Sequence, residues 1–164
     1  MNALKNLELP VSKVIPTLLT QDTTPGLFIP YGADPIIVIK WDQAVHLIHL
    51  TGEHSYQYGD LGIGHRVRGV LISDVEFIVD AQSAYNHNQS AARAGALIVA
   101  EGKIFLNSIR AGDPFRNEPH AAPLWGEFQC ASGQEAAAFS RWALAFRERD
   151  ELRIFKWFEA NEPR

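Results

Sequence analysis

Hydrophobic and polar residues alternate along most of this chain with the two-residue period of a β-strand. The clearest case starts at residue 36, where IIVIKW is followed by the polar pair Asp42-Gln43 and then by the apolar run AVHLIHL. Two β-rich runs around a two-residue polar turn are typical of a hairpin. The pattern therefore predicts a hairpin over residues 36–50.

Further strands follow along the chain. A second hairpin is predicted over residues 96–110, with Gly102 at its turn, because glycine adopts the positive φ that such turns require. Residues 66–80 alternate over their whole length and predict one long strand that bends at Gly69. The run ELRIFKWF at 151–158 predicts a final strand, with a helical extension of the segment before it as the alternative.

Only one segment shows the period of a helix. Ser132 and Glu135 have the spacing of a capping box, in which each side chain satisfies a free backbone N–H. Apolar residues then recur at i, i+3, i+4 and i+7, namely Phe139, Trp142, Ala143 and Phe146. The pattern predicts one C-terminal amphipathic helix over residues 133–149.

Together these elements predict an α+β fold. We expect a mostly antiparallel β-sheet of about six to eight strands with the C-terminal helix packed on it. The length of 164 residues suits one globular domain, residues 1–164. Four prolines interrupt residues 1–30 and predict an extended N-terminal arm with one short strand near residues 14–19. Residues 53–65 contain three glycines and predict mainly a loop.

Composition narrows the class of protein. The net charge of −4 argues against a nucleic-acid partner, because such partners require a cationic surface. Cys130 is the only cysteine, which excludes an internal disulfide and fits a reducing compartment. No apolar stretch approaches the roughly 20 residues of a membrane span, and residues 1–13 do not resemble a secretory signal. We therefore expect a soluble, cytoplasmic protein with no membrane contact.

The segment 81–94 is the first candidate site. It carries the polar run Tyr85, Asn86, His87 and Asn88. Imidazole titrates near neutral pH, so His87 with Asp80 would serve as a general base or, with carboxylate and amide oxygens, as ligands of a divalent metal. The alternative is a surface connection in which the asparagines adopt turn conformations.

The segment 111–123 is the second candidate site. It offers hydrogen-bonding side chains and an apolar anchor, namely Phe115, Arg116, Glu118 and His120. Loops of this length without structure of their own are uncommon and often bind ligands or partners. Three prolines in and around it allow the alternative of a rigid crossing between strands.

Two other polar groupings lie in the predicted strands. Asp74, Glu76 and Asp80 share one strand face, which suits either paired carboxylates or a face turned to water. His46 and His49 are three residues apart, so they point to opposite faces of a strand and do not chelate one ion.

These observations support three hypotheses for function. The first is a small binding or accessory protein that engages a protein or small-molecule partner through loops 81–94 and 111–123. Four tryptophans and nine phenylalanines supply aromatic residues for such an interface. The alternative is a hydrolase-type enzyme that uses His87 with Asp80, with or without a divalent metal. The third is a homo-oligomer that pairs through an exposed sheet edge. No motif indicates a cofactor.

Overall fold

The chain folds into β-strands that form two sheets. The computed structural model describes residues 9, 11–41, 43–62, 66–86, 93–100, 102–111, 120–124 and 136–161. These residues contain two 3-10 helices, Val11–Lys13 and Ala81–Ser83. They also form fourteen strands: β1 (Ile15–Leu18), β2 (Gly26–Pro30), β3 (Ile36–Trp41), β4 (Ala44–His49), β5 (Gln57–Asp60), β6 (Arg68–Ile72), β7 (Glu76–Val79), β8 (Ala84–Asn86), β9 (Leu97–Ala100), β10 (Lys103–Arg110), β11 (His120–Leu124), β12 (Ala137–Phe139), β13 (Arg141–Glu148) and β14 (Glu151–Glu159).

The larger sheet of the described residues has eleven strands. Its order is β1-β6-β2-β3-β4-β5-β10-β9-β12-β8, and β11 also pairs with β10. The smaller sheet has three strands in the order β14-β13-β7. Among the described pairs, only β5 and β10 run parallel. This parallel pair brings together two strands that lie far apart in the sequence.

Both hairpins expected from the sequence are present. β3 pairs antiparallel with β4, with Ile36 opposite His49 at one end and Trp41 opposite Ala44 at the other. β9 pairs antiparallel with β10. Gly102 has a φ of 72° at the second turn, the conformation for which glycine is favoured. The final strand is also confirmed, as β14.

The α+β assignment is wrong, because the described residues contain no α-helix. The part of the predicted helix that is described, residues 136–149, forms β12 and β13. Residues 142–146 are all buried, and a continuous apolar run suits a strand covered on both faces as well as a helix. The predicted capping box lies outside the described residues. No helix in the described part of the chain has the length and apolarity to cross a bilayer.

The predicted long strand over residues 66–80 is also wrong. The chain leaves strand structure at residues 73–75, so that β6 belongs to the larger sheet and β7 to the smaller. Gly69 is not the bend: it lies between β1 and β2, where a Cβ on Gly69 would stand 2.2 Å from the backbone oxygen of Ile29. Glycine is required there by the close approach of a neighbouring backbone.

Strands also occupy segments that were expected to be mostly irregular. β1 lies at the short strand expected near residues 14–19, whereas β2 lies elsewhere within residues 1–30 and β5 lies within 53–65. β8 lies within 81–94, and β11 begins inside 111–123. The positions of Tyr85, Asn86 and His120 are therefore strand positions rather than loop positions. These strands are short, and pairing with distant parts of the chain stabilises them.

The core has two parts on opposite faces of the central strands. One cluster joins the two sheets, with Ile37 and Ile48 from the larger sheet and Trp142 and Phe158 from the smaller. A second cluster, which includes Phe28, Val38 and Val45, covers the other face of β2, β3 and β4. Consecutive residues of β3 therefore alternate between the two clusters, which explains why IIVI is apolar without interruption.

Candidate functional site

Asp80, the residue predicted to act with His87, has structural partners. Its Oδ1 accepts a hydrogen bond of 3.0 Å from the backbone N–H of Gln82 and so caps the 3-10 helix Ala81–Ser83. Its Oδ2 accepts a hydrogen bond of 3.4 Å from Arg141 Nη1. His87 lies outside the described residues, and the pairing of Asp80 with His87 stays a prediction.

The surroundings of Asp80 form a closed set of contacts, which we call the Asp80 corner: Asp80, Ser83, Arg141, Trp157 and Glu159. The Arg141 guanidinium lies 4.0 Å above the centre of the Trp157 ring, and Arg141 Nε lies 3.8 Å from Glu159 Oε1. Ser83 Oγ donates a hydrogen bond to the backbone oxygen of Asp80 and accepts one from the backbone N–H of Arg141. The corner stabilises the passage of the chain from β7 to β8.

The carboxylates expected on one strand face have different cationic partners. Asp74 pairs with Lys13, and Glu76 Oε1 lies 2.7 Å from Arg147 Nε. Together with the pair between Asp80 and Arg141, this gives each carboxylate its own cation. The three carboxylates therefore belong to separate ion pairs, and they do not share a reacting group.

The other predicted site residues are spread over the molecule. Tyr85 is half-buried on β8, where the Arg93 guanidinium lies 5.8 Å from the ring centre. Burial raises the pKa of Tyr85, and the charge of Arg93 opposes this shift. Asn86 is exposed at the end of β8, and His120 stands opposite Ser108 in the pairing of β11 with β10. The remaining predicted residues, Asn88, Phe115, Arg116 and Glu118, lie outside the described residues.

A cleft of about 470 Å³ opens where β4 begins and where β5 and β10 end. Its lining consists of Ala44, His46, Tyr58, Gly59, Asp60, Arg110 and Ala111. His46 stands directly opposite Asp60 in the antiparallel pair of β4 and β5, and Tyr58 stands opposite Arg110 in the parallel pair of β5 and β10. Side chains that are opposite each other in register project on the same face of a sheet. The strand register therefore places the His46 imidazole, the Asp60 carboxylate and the Arg110 guanidinium in the lining of one cleft.

His46 and Asp60 form a close pair at the edge of the cleft. His46 Nδ1 lies 2.8 Å from Asp60 Oδ1, and the His46 side chain is mostly buried whereas that of Asp60 is exposed. The His46 ring meets the Tyr58 ring edge to face at a centroid distance of 6.4 Å.

Arg110 differs from those arginines of this protein that form ion pairs with carboxylates. Arg141, Arg147 and Arg153 each contact a carboxylate. Arg110 is exposed at the end of β10, and among the residues that the structure describes no carboxylate pairs with it. Its guanidinium therefore retains the capacity to bind an anion.

The sequence pattern did not predict this cleft, because residues 53–65 were expected to form a loop and not to contain β5. Without β5, nothing places Asp60 opposite His46. The alternation of Tyr56 and Tyr58 is the signal that favours a strand there. No local signal places Arg110 beside β5, because that pairing is parallel and joins segments about fifty residues apart.

Three comparisons with known proteins complete the description. No solved structure matches the chain. A curated relative, "Uncharacterized protein y4lG" of Sinorhizobium fredii (strain NBRC 101917 / NGR234), is 25% identical over 121 residues, which cover 74% of this chain and 73% of the relative. The family model described as "Uncharacterised protein y4lG" matches residues 16–164. Because the family model matches most of this chain, the chain belongs to the y4lG family.

Proposed function

We propose that this protein binds a small anionic molecule in the cleft between β4, β5 and β10. The observation that carries the proposal is the guanidinium of Arg110, which lines the cleft and has no carboxylate partner among the described residues. Guanidinium groups bind carboxylates and phosphates through two parallel hydrogen bonds. The ligand class is therefore a small carboxylate or phosphate.

The size and polarity of the cleft support the same ligand class. Its volume of about 470 Å³ lies within the range of roughly 300–1,000 Å³ that is usual for small-molecule sites. Tyr58 offers an aromatic surface on the same face as Arg110. The Asp60 carboxylate, 2.8 Å from His46 Nδ1, orients the His46 ring at the edge of the cleft.

The predicted binding segment 111–123 begins at this cleft, because Ala111 is one of its lining residues. The proposal therefore keeps a small-molecule partner for that segment. Among residues 81–86 and 93–94, the described part of the other predicted segment, none lines the cleft. A cytoplasmic location belongs to the same proposal, on the support of the single cysteine.

The first test is thermal unfolding in a panel of small anions, including phosphate, succinate and citrate, at an ionic strength matched with sodium chloride. A ligand that binds only the native state stabilises it by about 2.7 kcal/mol at a hundredfold excess over Kd. The anion with the largest effect is then titrated calorimetrically into the wild type and Arg110→Gln.

We expect Arg110→Gln to weaken binding by about tenfold to a hundredfold, because hydrogen bonds to a charged group contribute about 1.5–3 kcal/mol. The matched control is Arg68→Gln, since Arg68 is exposed on β6 and does not line the cleft. That variant should bind like the wild type. Equal affinity of Arg110→Gln and wild type would contradict the proposal, as would an absence of anion-specific stabilisation.

A further inference from the structure

We infer that His49 and His54 form a two-histidine site for a divalent transition-metal ion such as Cu²⁺, Ni²⁺ or Zn²⁺. The site comprises the last residue of β4 and the turn that leads to β5, a segment that we call the histidine turn (residues 49–56). It lies at the end opposite the cleft and does not depend on the function proposed for the cleft. The inference starts from the separation of the two rings, whose centroids are 6.4 Å apart with an angle of 56° between their planes.

This separation is close to the value that a shared metal ion imposes. Metal–nitrogen bonds to histidine are about 2.0–2.1 Å long, so two imidazole centroids around a tetrahedral ion would lie roughly 5 Å apart. Closing the remaining distance of about 1 Å requires only side-chain rotation, since ring nitrogens move by that amount on small changes in χ1 and χ2. Both histidines are exposed, and they are able to make this adjustment.

The backbone of the turn holds the two histidines side by side. The Tyr56 N–H donates to the His49 backbone oxygen at 2.6 Å, and the Gln57 N–H donates to the His54 backbone oxygen at 3.0 Å. Tyr56 also anchors the turn, because its ring is buried and its hydroxyl donates to the Glu159 backbone oxygen at 2.6 Å. A turn fixed at both histidines loses little further conformational entropy when an ion binds.

The described residues contain no group of three or more histidine, cysteine or carboxylate side chains able to hold an ion. Two histidines alone leave the other coordination positions to water or to an added ligand. Imidazole ligands suit zinc, copper and nickel, whereas magnesium and calcium prefer oxygen ligands. The site should therefore select transition-metal ions and ignore Mg²⁺ and Ca²⁺.

The experiment is calorimetric titration of the untagged full chain with CuCl₂, NiCl₂, ZnCl₂ and MgCl₂ in a buffer that does not bind metals. We expect one equivalent of Cu²⁺, Ni²⁺ or Zn²⁺ to bind with micromolar affinity, and Mg²⁺ to give no heat of binding. His49→Ala and His54→Ala should each weaken binding at least tenfold. The electron paramagnetic resonance spectrum of the Cu²⁺ complex should show two nitrogen ligands in the wild type and one in either variant.

His120→Ala is the matched control, since it removes a histidine that lies on β11, outside the turn. It should retain the affinity of the wild type. Circular dichroism and the thermal midpoint of each apo variant separate loss of ligand from loss of fold, because both histidines are exposed and their removal should leave the fold intact. Unchanged metal affinity in both turn variants would overturn the inference, and so would a wild-type Kd in the millimolar range.

Discussion

The Asp80 corner and the cleft contain similar side chains in opposite states of bonding. Each region has an aspartate and an arginine beside an aromatic ring. In the corner, Asp80 caps a 3-10 helix and pairs with Arg141, which also stacks on Trp157. In the cleft, Asp60 pairs with His46, and no carboxylate of the described residues pairs with Arg110.

This difference separates structural from functional polar residues. A buried or half-buried polar group is costly unless its hydrogen bonds are made, so a complete set of partners shows that the group serves the fold. A charged group that lines a concavity without a partner has binding capacity that the fold does not use. By this criterion the corner belongs to the architecture and the cleft is the candidate for binding.

The largest effect is expected beneath the corner, at Trp142. This residue follows Arg141, is fully buried, stacks on Phe158 and donates a hydrogen bond of 2.7 Å to the Gly95 backbone oxygen. Trp142→Ala should lower the free energy of unfolding by about 3–5 kcal/mol, because it leaves a large cavity. Trp142→Phe keeps most of the volume but loses the hydrogen bond, and should cost about 1–3 kcal/mol. Urea unfolding measures both. Similar losses in the two variants would show that the hydrogen bond, and not the volume of the ring, dominates.

An intermediate effect should distinguish the two arginines directly. Arg141→Ala should lower the free energy of unfolding by about 1–2 kcal/mol, since it removes an ion pair and the contact with the Trp157 ring. Arg110→Ala should change it by less than about 0.5 kcal/mol, because Arg110 is exposed and no carboxylate of the described residues pairs with it. Chemical denaturation of the two variants in one buffer tests this. If Arg110→Ala is as destabilising as Arg141→Ala, the distinction between corner and cleft fails.

The smallest effect concerns Tyr56, which connects the histidine turn to the backbone of Glu159. Burial raises the pKa of Tyr56, and the charge of Glu159 raises it further. The raised pKa means that the folded state favours the neutral phenol. This contribution to stability is therefore fully present below the unfolded-state pKa near 10 and is lost as the pH rises above it.

Tyr56→Phe removes this titration and the hydrogen bond to the Glu159 backbone oxygen. It should cost about 1 kcal/mol at neutral pH and flatten the loss of stability above about pH 10. Unfolding curves at pH 7.5 and 10.5 check the prediction. Tyr31→Phe is the control, because Tyr31 is 65% exposed and should not change the pH dependence. An unaltered alkaline slope in Tyr56→Phe would exclude Tyr56 as its source.

Local pattern was sufficient for the hairpins and failed for the C-terminal helix. In each of the two hairpins, both strands and the connecting turn lie within one short stretch of sequence. The alternation of apolar and polar residues there therefore predicts which strands pair. Residues 142–146 are apolar at every position, and such a run fits both a helix stripe and a strand buried on two faces. Pairing of β13 with β7 and β14 decides between them, and the pairing with β7 joins segments that lie far apart in the sequence.

Local patterning of apolar and polar residues specifies the β-rich character, the two hairpins, the final strand and the glycine turn at residue 102. Which polar residues meet depends on contacts between distant segments. Asp80 meets Arg141 through the pairing of β7 with β13, and Arg110 lines the cleft through the parallel pairing of β10 with β5. The alternation of apolar and polar residues indicates on which face of a strand a side chain lies. The register between distant strands depends on the burial of the whole sheet. The candidate site is a product of that register.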